Sequence, residues 1–460
     1  MNERFWAAIF AHENLVIYEP YENRIYLYEP LRGLFVPQHS ESLRELIIQR
    51  MYEIAEDRAS VTSEYLAIPR FITMQNVNGV IEALKGLTSQ ENAFQRRADE
   101  PFFIHTADCM LVWDKERKQF TQENFSPNFR SRNQSPIQYD PKANDEQFRR
   151  ALFPENFDPD DLDVIQRYSG QCLLGRNVSQ TILILDGLAD TSKTTLALLI
   201  SEVIGRNNCT ELRTSQLDER FETSAFVGKT VLLAPDVKAN FLSRDGAKVL
   251  KRLVGGDRQS AEFKRANRRV PFDGIFNVII TSNSRLRAKL EGDADAWRRR
   301  LLFIRFEIPR SGARIADFHL AVVRDYGPGI LNFMIEGARK LLGADGRFTT
   351  TKRQRDRVSK FIDESDSLRI FLRSNLAAST DSKNDLTSNE ILEAYYQHCI
   401  NNDLHSLSTT EANRTLLEIM KELFGRELSR SVKRDGKNQR GFSKVKWREP
   451  NDLDPPSDHD

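Results

Sequence analysis

Residues 182 to 196 read ILILDGLADTSKTTL, and no other stretch constrains the chain as much. An apolar run enters Gly187, and after four intervening residues Ser192-Lys193-Thr194 opens a second apolar pattern. Thr181 to Leu185 is a strand candidate and Thr194 to Ile204 an amphipathic helix candidate. A strand, a glycine turn and a helix opening on Lys-Thr read as a phosphate-binding loop. There, backbone N–H groups and a helix N-terminus converge on phosphate oxygens. Gly187, Ser192, Lys193, Thr194 and Thr195 would bind ATP, with Lys193 reaching the terminal phosphates and the Thr194 hydroxyl facing Mg²⁺. The usual pattern has a second glycine before the lysine, and here that position is Ser192. If the backbone there needs a positive φ, the serine costs on the order of 1–3 kcal/mol. At negative φ its side chain is only a steric question.

Later segments supply what a nucleotide hydrolase needs. VGKTVLLAPDVKANF (227–241) is a buried-strand run ending in Asp236, either a carboxylate for the Mg²⁺ shell or an acid in a strand-exit turn. FNVIITSNSRL (276–286) is another apolar strand. It ends in Asn283, an amide that would orient water or meet the γ-phosphate, or a plain turn residue. DADAWRRRLLFIRFE (293–307) sets three arginines before a further strand. Arginine suits the stabilisation of a transferring γ-phosphoryl group, including one bound to a neighbouring subunit.

The order of phosphate loop, acid-ended strand, LKRLVGGDRQSAEFKR (250–265), strand ending TSN, and AWRRRLLFIRF resembles superfamily 3 helicases. These occur in poxviral primase-helicases and in satellite-phage and plasmid replication proteins, and are related to AAA+ ATPases. The resemblance covers about 160 to 310. Residues 14–36 and 100–175 also resemble the domain that precedes that motor. The resemblance implies an ATP- and Mg²⁺-dependent motor that encircles single-stranded DNA, usually as a homo-hexamer, moving 3′ to 5′, for a mobile element, phage or plasmid. By the same resemblance, Lys193 and Thr194 bind phosphate and Mg²⁺, Asp236 is the Walker B acid, Asn283 the first sensor, and Arg299 or Arg300 the arginine finger. Lys251 stands at the family's recurrent lysine, and Lys264 and Arg265 lie where its channel hairpin meets DNA. Two departures stand out: Ser192, and Ala234-Pro235 before Asp236, which removes the usual second acid. The general base is left open, with Glu222 and Asp245 as candidates.

Outside the motor, residues 1–125 read as an α+β domain. NLVIYEPYENRIYLYEPLRGLFVP suggests a small antiparallel sheet, 41–55 and 77–97 look helical, and FFIHTADCMLVWDKERKQF returns to strands. The Tyr-rich strands are read as packing rather than base-stacking surfaces. Residues 126–160 form a connector, opened by a polar stretch with three prolines. Residues 161–355 alternate strands and helices, as a parallel sheet covered on both faces does. Residues 450–460 are an acidic, Pro-rich tail expected to be disordered.

In 356–449, Thr387-Ser388-Asn389-Glu390 and Ser408-Thr409-Thr410-Glu411 look like capping boxes opening two amphipathic helices. LSRSVKRDGKNQRGFSKVKW then reads as strand, loop, strand, with Lys433, Arg434, Lys437 and Arg440 at the tip. The whole resembles a winged-helix DNA-binding domain, a fold that also serves protein–protein contacts. The chain's net charge is only +1, so nucleic-acid contacts must come from local patches. Two stand out: 285–300, with six basic and three acidic residues, and 426–448, with nine and two.

Other features exclude alternatives. No apolar run is long enough to span a membrane, and MNERFWAAIFAHENL is too polar for a secretory signal. Four scattered cysteines form neither a disulfide framework nor paired metal spacing, which points to a reducing cytoplasm. His105 and Cys109 are read as a satisfied histidine and a buried thiol, and Asp160 or Asp161 as a cap on the following helix. No nucleotidyltransferase signature occurs in the first 150 residues, so priming would fall to a separate primase. Two function classes follow. One is a replicative DNA helicase. The other is an origin-binding or helicase-loading protein, held on duplex DNA by the winged helix, with a weak or decayed ATPase.

Overall fold

Aromatic and branched residues alternate with polar ones after Asn14, and they build the first sheet. The computed structural model describes residues 2–59, 67–95, 100–217, 219–238, 246–263, 269–284, 286, 294–309, 315–365, 367–381, 383–402, 406–434 and 436–449. Helix α1 (Glu3–Glu13) precedes β1 (Val16–Glu19), β2 (Arg24–Glu29) and β3 (Leu34–Gln38), an antiparallel meander. Helices α2 (Ser40–Ala59), α3 (Ala67–Phe71) and α4 (Met74–Thr88) share a core with α1 around Trp6, Phe10, Leu43, Ile47, Val77 and Leu84. The helix expected over 77–97 therefore ends at Thr88. Ser89 turns extended and bridges Tyr18, Asn92 adopts a left-handed φ of 55°, and the Glu19 carboxylate accepts the Ala93 N–H. Strands β4 (Phe103–His105), β5 (Met110–Asp114) and β6 (Gln119–Glu123) form a second meander.

The connector carries one short turn, Pro127–Phe129, before α5 (Glu146–Leu152), whose Phe148 and Leu152 join the core of the next unit. That unit runs α6 (Pro159–Leu173), β7 (Ile182–Gly187), α7 (Lys193–Ile204), β8 (Cys209–Glu211), β9 (Val231–Ala234) and α8 (Gly246–Val254). It continues with the hairpin β10 (Arg258–Glu262) and β11 (Arg269–Asp273), then β12 (Asn277–Ser282), α9 (Ala294–Arg300), β13 (Leu301–Phe306), α10 (Phe318–Gly343) and α11 (Lys352–Ser365). Asp158, not Asp160 or Asp161, caps α6, accepting N–H groups from both. Asp161 instead lies buried against Arg357 at 2.7 Å.

Strands β13-β7-β12-β9-β8 form one parallel sheet. Its strands are nearly continuous apolar runs because both faces are covered. Leu183 and Leu185 meet α6, α7 and α10, while Ile182 and Ile184 meet α8, α9 and α11. The expected boundary at 355/356 falls inside α11, whose Val358, Phe361 and Ile362 pack on this sheet. Helices α6 and α10 cross closely at two glycines. A Cβ at Gly170 would stand 2.1 Å from the Ala338 nitrogen, and one at Gly337 1.8 Å from the Gln166 oxygen.

The last unit has its own core around Leu368, Phe371, Tyr395, Leu416 and Phe442. It contains α12 (Ser367–Asn375), β14 (Leu376–Ala378), β15 (Asp385–Thr387), α13 (Ser388–Asn401), α14 (Thr409–Phe424), β16 (Ser429–Arg434), β17 (Lys437–Ser443) and β18 (Val445–Trp447). Thr387 and Glu390 form a complete capping box. At Ser408 only half of one forms: its hydroxyl accepts the Glu411 N–H, but the Glu411 carboxylate returns to that hydroxyl. Among the described residues no helix is long and apolar enough to cross a membrane.

Candidate nucleotide site

The two ends of the parallel sheet differ in how their polar groups are used. At the amino end, Gln171, Asn177, Asn277, Ser179 and Thr181 satisfy one another, with Gln171 donating to Asn277 at 2.9 Å and Asn177 to the Thr181 oxygen at 2.8 Å. Such a closed network fixes structure and leaves nothing for a ligand. At the carboxyl end, three adjacent strands, β7, β12 and β9, open into turns that carry Gly187, Asn283 and Asp236. Ligands of open parallel sheets bind at that end.

The turn after β7 is tight. Gly187 has φ +133°, and a Cβ there would stand 2.0 Å from the Phe306 oxygen, so the backbone of β13 excludes any larger residue. The Leu188 N–H donates to that same oxygen at 3.0 Å. The loop closes on α7 through Ser192, the helix N-cap, at φ 69° and ψ 9°. The position is therefore left-handed, and a non-glycine residue there stores on the order of 1–3 kcal/mol. The Ser192 hydroxyl caps nothing, and its buried Oγ has no hydrogen-bond partner among the described residues.

Lys193 is buried at the first turn of α7, and its ammonium donates to Gly187 O at 3.1 Å, to Thr191 Oγ1 at 3.0 Å and to Leu188 O. Burial pulls the amine below the ordinary lysine range, opposed by the carboxylates of Asp186, Asp190 and Asp236. Thr194 is exposed and Thr195 half-buried. Asp236 follows Pro235 in a left-handed turn at φ 49°. Its N–H donates to Thr281 Oγ1 at 3.1 Å, and Asn283 Nδ2 donates to its Oδ1 at 3.2 Å. The loop lysine at the start of α7, the acid after β9 and the amide after β12 thus follow the carboxyl ends of neighbouring strands. The residues fit a nucleotide triphosphate with a divalent cation: a glycine cradle without room for a Cβ, a buried ammonium held by loop oxygens, and an exposed hydroxyl and carboxylate.

Two residues on these strands carry no motif. Asp186, just before Gly187, is buried and accepts from Arg305 of β13 at 3.2 Å. Their register, Arg305 opposite Asp186, sets the pair. An acid at the end of the run ILILD was the available signal. Arg305 also lines a cavity of about 370 Å³ with Phe157, Asp158, Phe306, Ile308 and Arg357. A larger cleft of about 810 Å³ lies elsewhere, lined by Glu19, Phe94, Arg132 and Phe272. No residue from Gly187 to Lys193 lines it, so size alone does not locate the chemistry.

The arginine run separates into different environments. Arg300 folds inward, donating to Ala296 O at 3.1 Å and keeping a buried Nε without a partner among the described residues. Arg299 is exposed, with its Nε on Asp295 O at 3.3 Å, and Arg298 pairs with Asp295. Lys251 is half-buried, 5.5 Å above the ring of fully buried Trp297. Lys264, Arg265 and Asp245 lie outside the described residues. Glu222 is buried and ion-paired with Arg213, so its carboxylate is already used.

Lys433, Lys437 and Arg440 lie on β16 and β17, the first two exposed and Arg440 at the strand centre, also exposed. Arg434 departs from the expectation that it contacts DNA. Its guanidinium donates to Glu390 Oε1, to Asp385 Oδ1 and to the Asp385 carbonyl, each at 2.7 Å, and so fastens β16 to β15 and α13. His105 is satisfied through both ring nitrogens, by Ser131 Oγ and Arg32 O at 2.8 Å.

A protein-family model described as a family of unknown function, DUF5906, matches residues 185–300, which run from the loop to the arginine helix. No curated protein matches the chain. Among solved structures, the apo structure of the NrS-1 C-terminal region (305–718) is similar, with a TM-score of 0.50 at 12% identity, covering 96% of this chain and 99% of that one. An A-form apo structure of the same region gives 0.48 at 12% identity, with 96% and 99% covered. At that identity the likeness concerns the fold alone.

Proposed function

We propose that this protein is an ATP-dependent DNA motor of the superfamily 3 helicase type. It would serve the replication of a mobile element, phage or plasmid, and translocate on single-stranded DNA as a ring. The observation that carries this reading is the convergence of Lys193, Asp236 and Asn283 at the carboxyl ends of β7, β9 and β12.

Strand β12 lies between the other two, so Asn283 stands between the lysine of the loop and the acid of β9. The N–H groups at the start of α7 and the Lys193 ammonium bind phosphate oxygens, where the helix dipole adds to the ammonium charge. The Thr194 hydroxyl and the Asp236 carboxylate would hold Mg²⁺, which when bound neutralises charge on the leaving phosphates. Asn283 holds Asp236 in place by its 3.2 Å hydrogen bond and has an amide oxygen left for water. No loop residue lines the 370 Å³ cavity, but its wall residue Phe306 accepts the Leu188 N–H of the loop at 3.0 Å, and on that adjacency we assign it to the nucleoside end, with Phe157 and Phe306 as apolar walls. Arg299, exposed and held by a carbonyl, is the arginine offered to a neighbouring subunit's nucleotide. Arg300, turned inward, supports the helix.

The C-terminal unit is read as a winged helix, with α14 as the recognition helix and Lys433, Lys437 and Arg440 on the wing. Ser192 and Pro235 favour the second reading, an origin-binding or loading protein with a weak ATPase. In that case duplex binding through the winged helix persists without ATP.

Equilibrium binding of a fluorescent ATP analogue tests the site. Wild type is expected to bind with Mg²⁺ dependence, Lys193→Ala to lose binding at least tenfold, and Asp236→Ala to bind but lose the Mg²⁺ dependence. Equal binding by wild type and Lys193→Ala would refute the assignment.

A further inference from the structure

Ser192 combines three features that ordinarily exclude one another. It is a non-glycine residue at φ 69°, it is 8% exposed, and its Oγ is buried without a hydrogen-bond partner among the described residues. It also sits at the N-cap of a 12-residue helix, where a serine side chain normally accepts an N–H from the first turn, and it makes no such bond. Glycine would remove both the strain and the orphaned hydroxyl. A buried polar atom in a native fold calls for a partner, and no described group of the protein supplies one.

The neighbours of Ser192 show where a partner belongs. The side chain of Lys193 is folded back onto Gly187 O, Leu188 O and Thr191 Oγ1, so the loop is closed around its own ammonium. Those acceptors are neutral oxygens, and a phosphate oxygen is a stronger acceptor for an ammonium. An entering phosphate therefore competes for the lysine that follows Ser192 in the chain, at the same first turn of α7.

We infer that Ser192 is a phosphate-binding residue: its hydroxyl donates to a nucleotide phosphate oxygen when Lys193 releases the loop carbonyls. The serine replaces part of what a glycine loop obtains by closer backbone approach. It makes affinity depend on a side-chain donor and leaves the ligand-free loop strained. This deepens the proposed nucleotide site and rests on it.

The test is binding of ATP, inorganic tripolyphosphate and adenosine to the full chain, together with ligand-free thermal melting, for wild type, Ser192→Ala, Ser192→Gly and Lys193→Ala. Ser192→Ala is expected to weaken ATP and tripolyphosphate about tenfold, equivalent to about 1.4 kcal/mol, and to leave adenosine unchanged. Ser192→Gly is expected to weaken them to the same degree within about twofold, while melting higher than wild type without ligand. Wild-type affinity in Ser192→Ala overturns the inference. So does wild-type or tighter affinity in Ser192→Gly, since the methyl's bulk rather than the missing hydroxyl would then be the cause. Wild type that binds neither phosphate ligand in a Lys193-dependent way overturns the proposed site and the inference with it. Lys193-dependent binding that ignores Ser192 overturns the inference alone.

Discussion

Arg299 and Arg300 are adjacent in sequence and unequal in structure, and that inequality is measurable. The exposed Arg299 has a carbonyl at 3.3 Å to release, whereas Arg300 has a buried Nε and packs inward. Arg299→Ala is expected to bind nucleotide as wild type does and to lower turnover by about 10³-fold or more, the range seen for fingers in other nucleotide hydrolases. Arg300→Ala is expected to lower thermal stability first. Equal turnover in the two variants would remove Arg299 from its role. The sequence offered both arginines because both precede the same strand. Only the helix register, which points one outward and one inward, separates them. Ser192 is a similar case: its replacement of glycine was legible, but the sign of φ was not, because it depends on how β7 meets α7.

At the scale of elements, the crossing of α6 and α10 sets the tightest steric limit. A methyl at Gly337 meets the Gln166 oxygen at 1.8 Å, and the two helices must part to admit it. Gly337→Ala is expected to cost more than about 3 kcal/mol in urea unfolding, by the overpacking mechanism. A cost under about 1 kcal/mol would mean that the crossing adjusts freely. Arg434 makes a second prediction. Burial raises the Glu390 carboxyl, but Arg434 together with the Thr387 N–H and hydroxyl outweighs it, so the group is held below its ordinary 4.5. A depressed carboxyl contributes stability that is fully present above its unfolded value and diminishes as pH falls through the folded-state value. Wild type is expected to melt at lower temperature as pH drops below about 4.5. Arg434→Met is expected to melt lower at pH 7 and to show a flatter acid response. An unchanged acid slope would mean that the pair does not hold β15 and α13 to β16. A basic residue in a basic run looks like a nucleic-acid contact until a fold brings Asp385 and Glu390 beside it. The parallel sheet was readable from alternating strands and helices, because each of its strands is an apolar run buried on both faces. The end of α4 was not, because a distant carboxylate, Glu19, holds Ala93 in the turn that replaces the expected helix.

For the whole molecule, the arrangement of parts matters more than bulk charge. A net charge of +1 leaves the proposed DNA binding to separate patches. Replacing Lys433, Lys437 and Arg440 together by alanine is expected to weaken duplex DNA binding. It should also make the slope of log affinity against log salt shallower, by roughly one unit for each phosphate that is no longer neutralised. ATP binding should be unaffected, and an unchanged salt slope would exclude these three residues from the proposed DNA contact. The unfamiliar pair Asp186–Arg305 couples β7 to β13 next to the loop, a link that appears only when the strand order is known. The central claim is that the loop between β7 and α7 drives DNA-linked turnover. It is tested most directly by ATP hydrolysis of purified wild type and Lys193→Ala, with and without single-stranded DNA. Turnover that requires Lys193 and rises with DNA is the expected result. No turnover in any condition with DNA binding intact, or equal turnover by the two proteins, would contradict it.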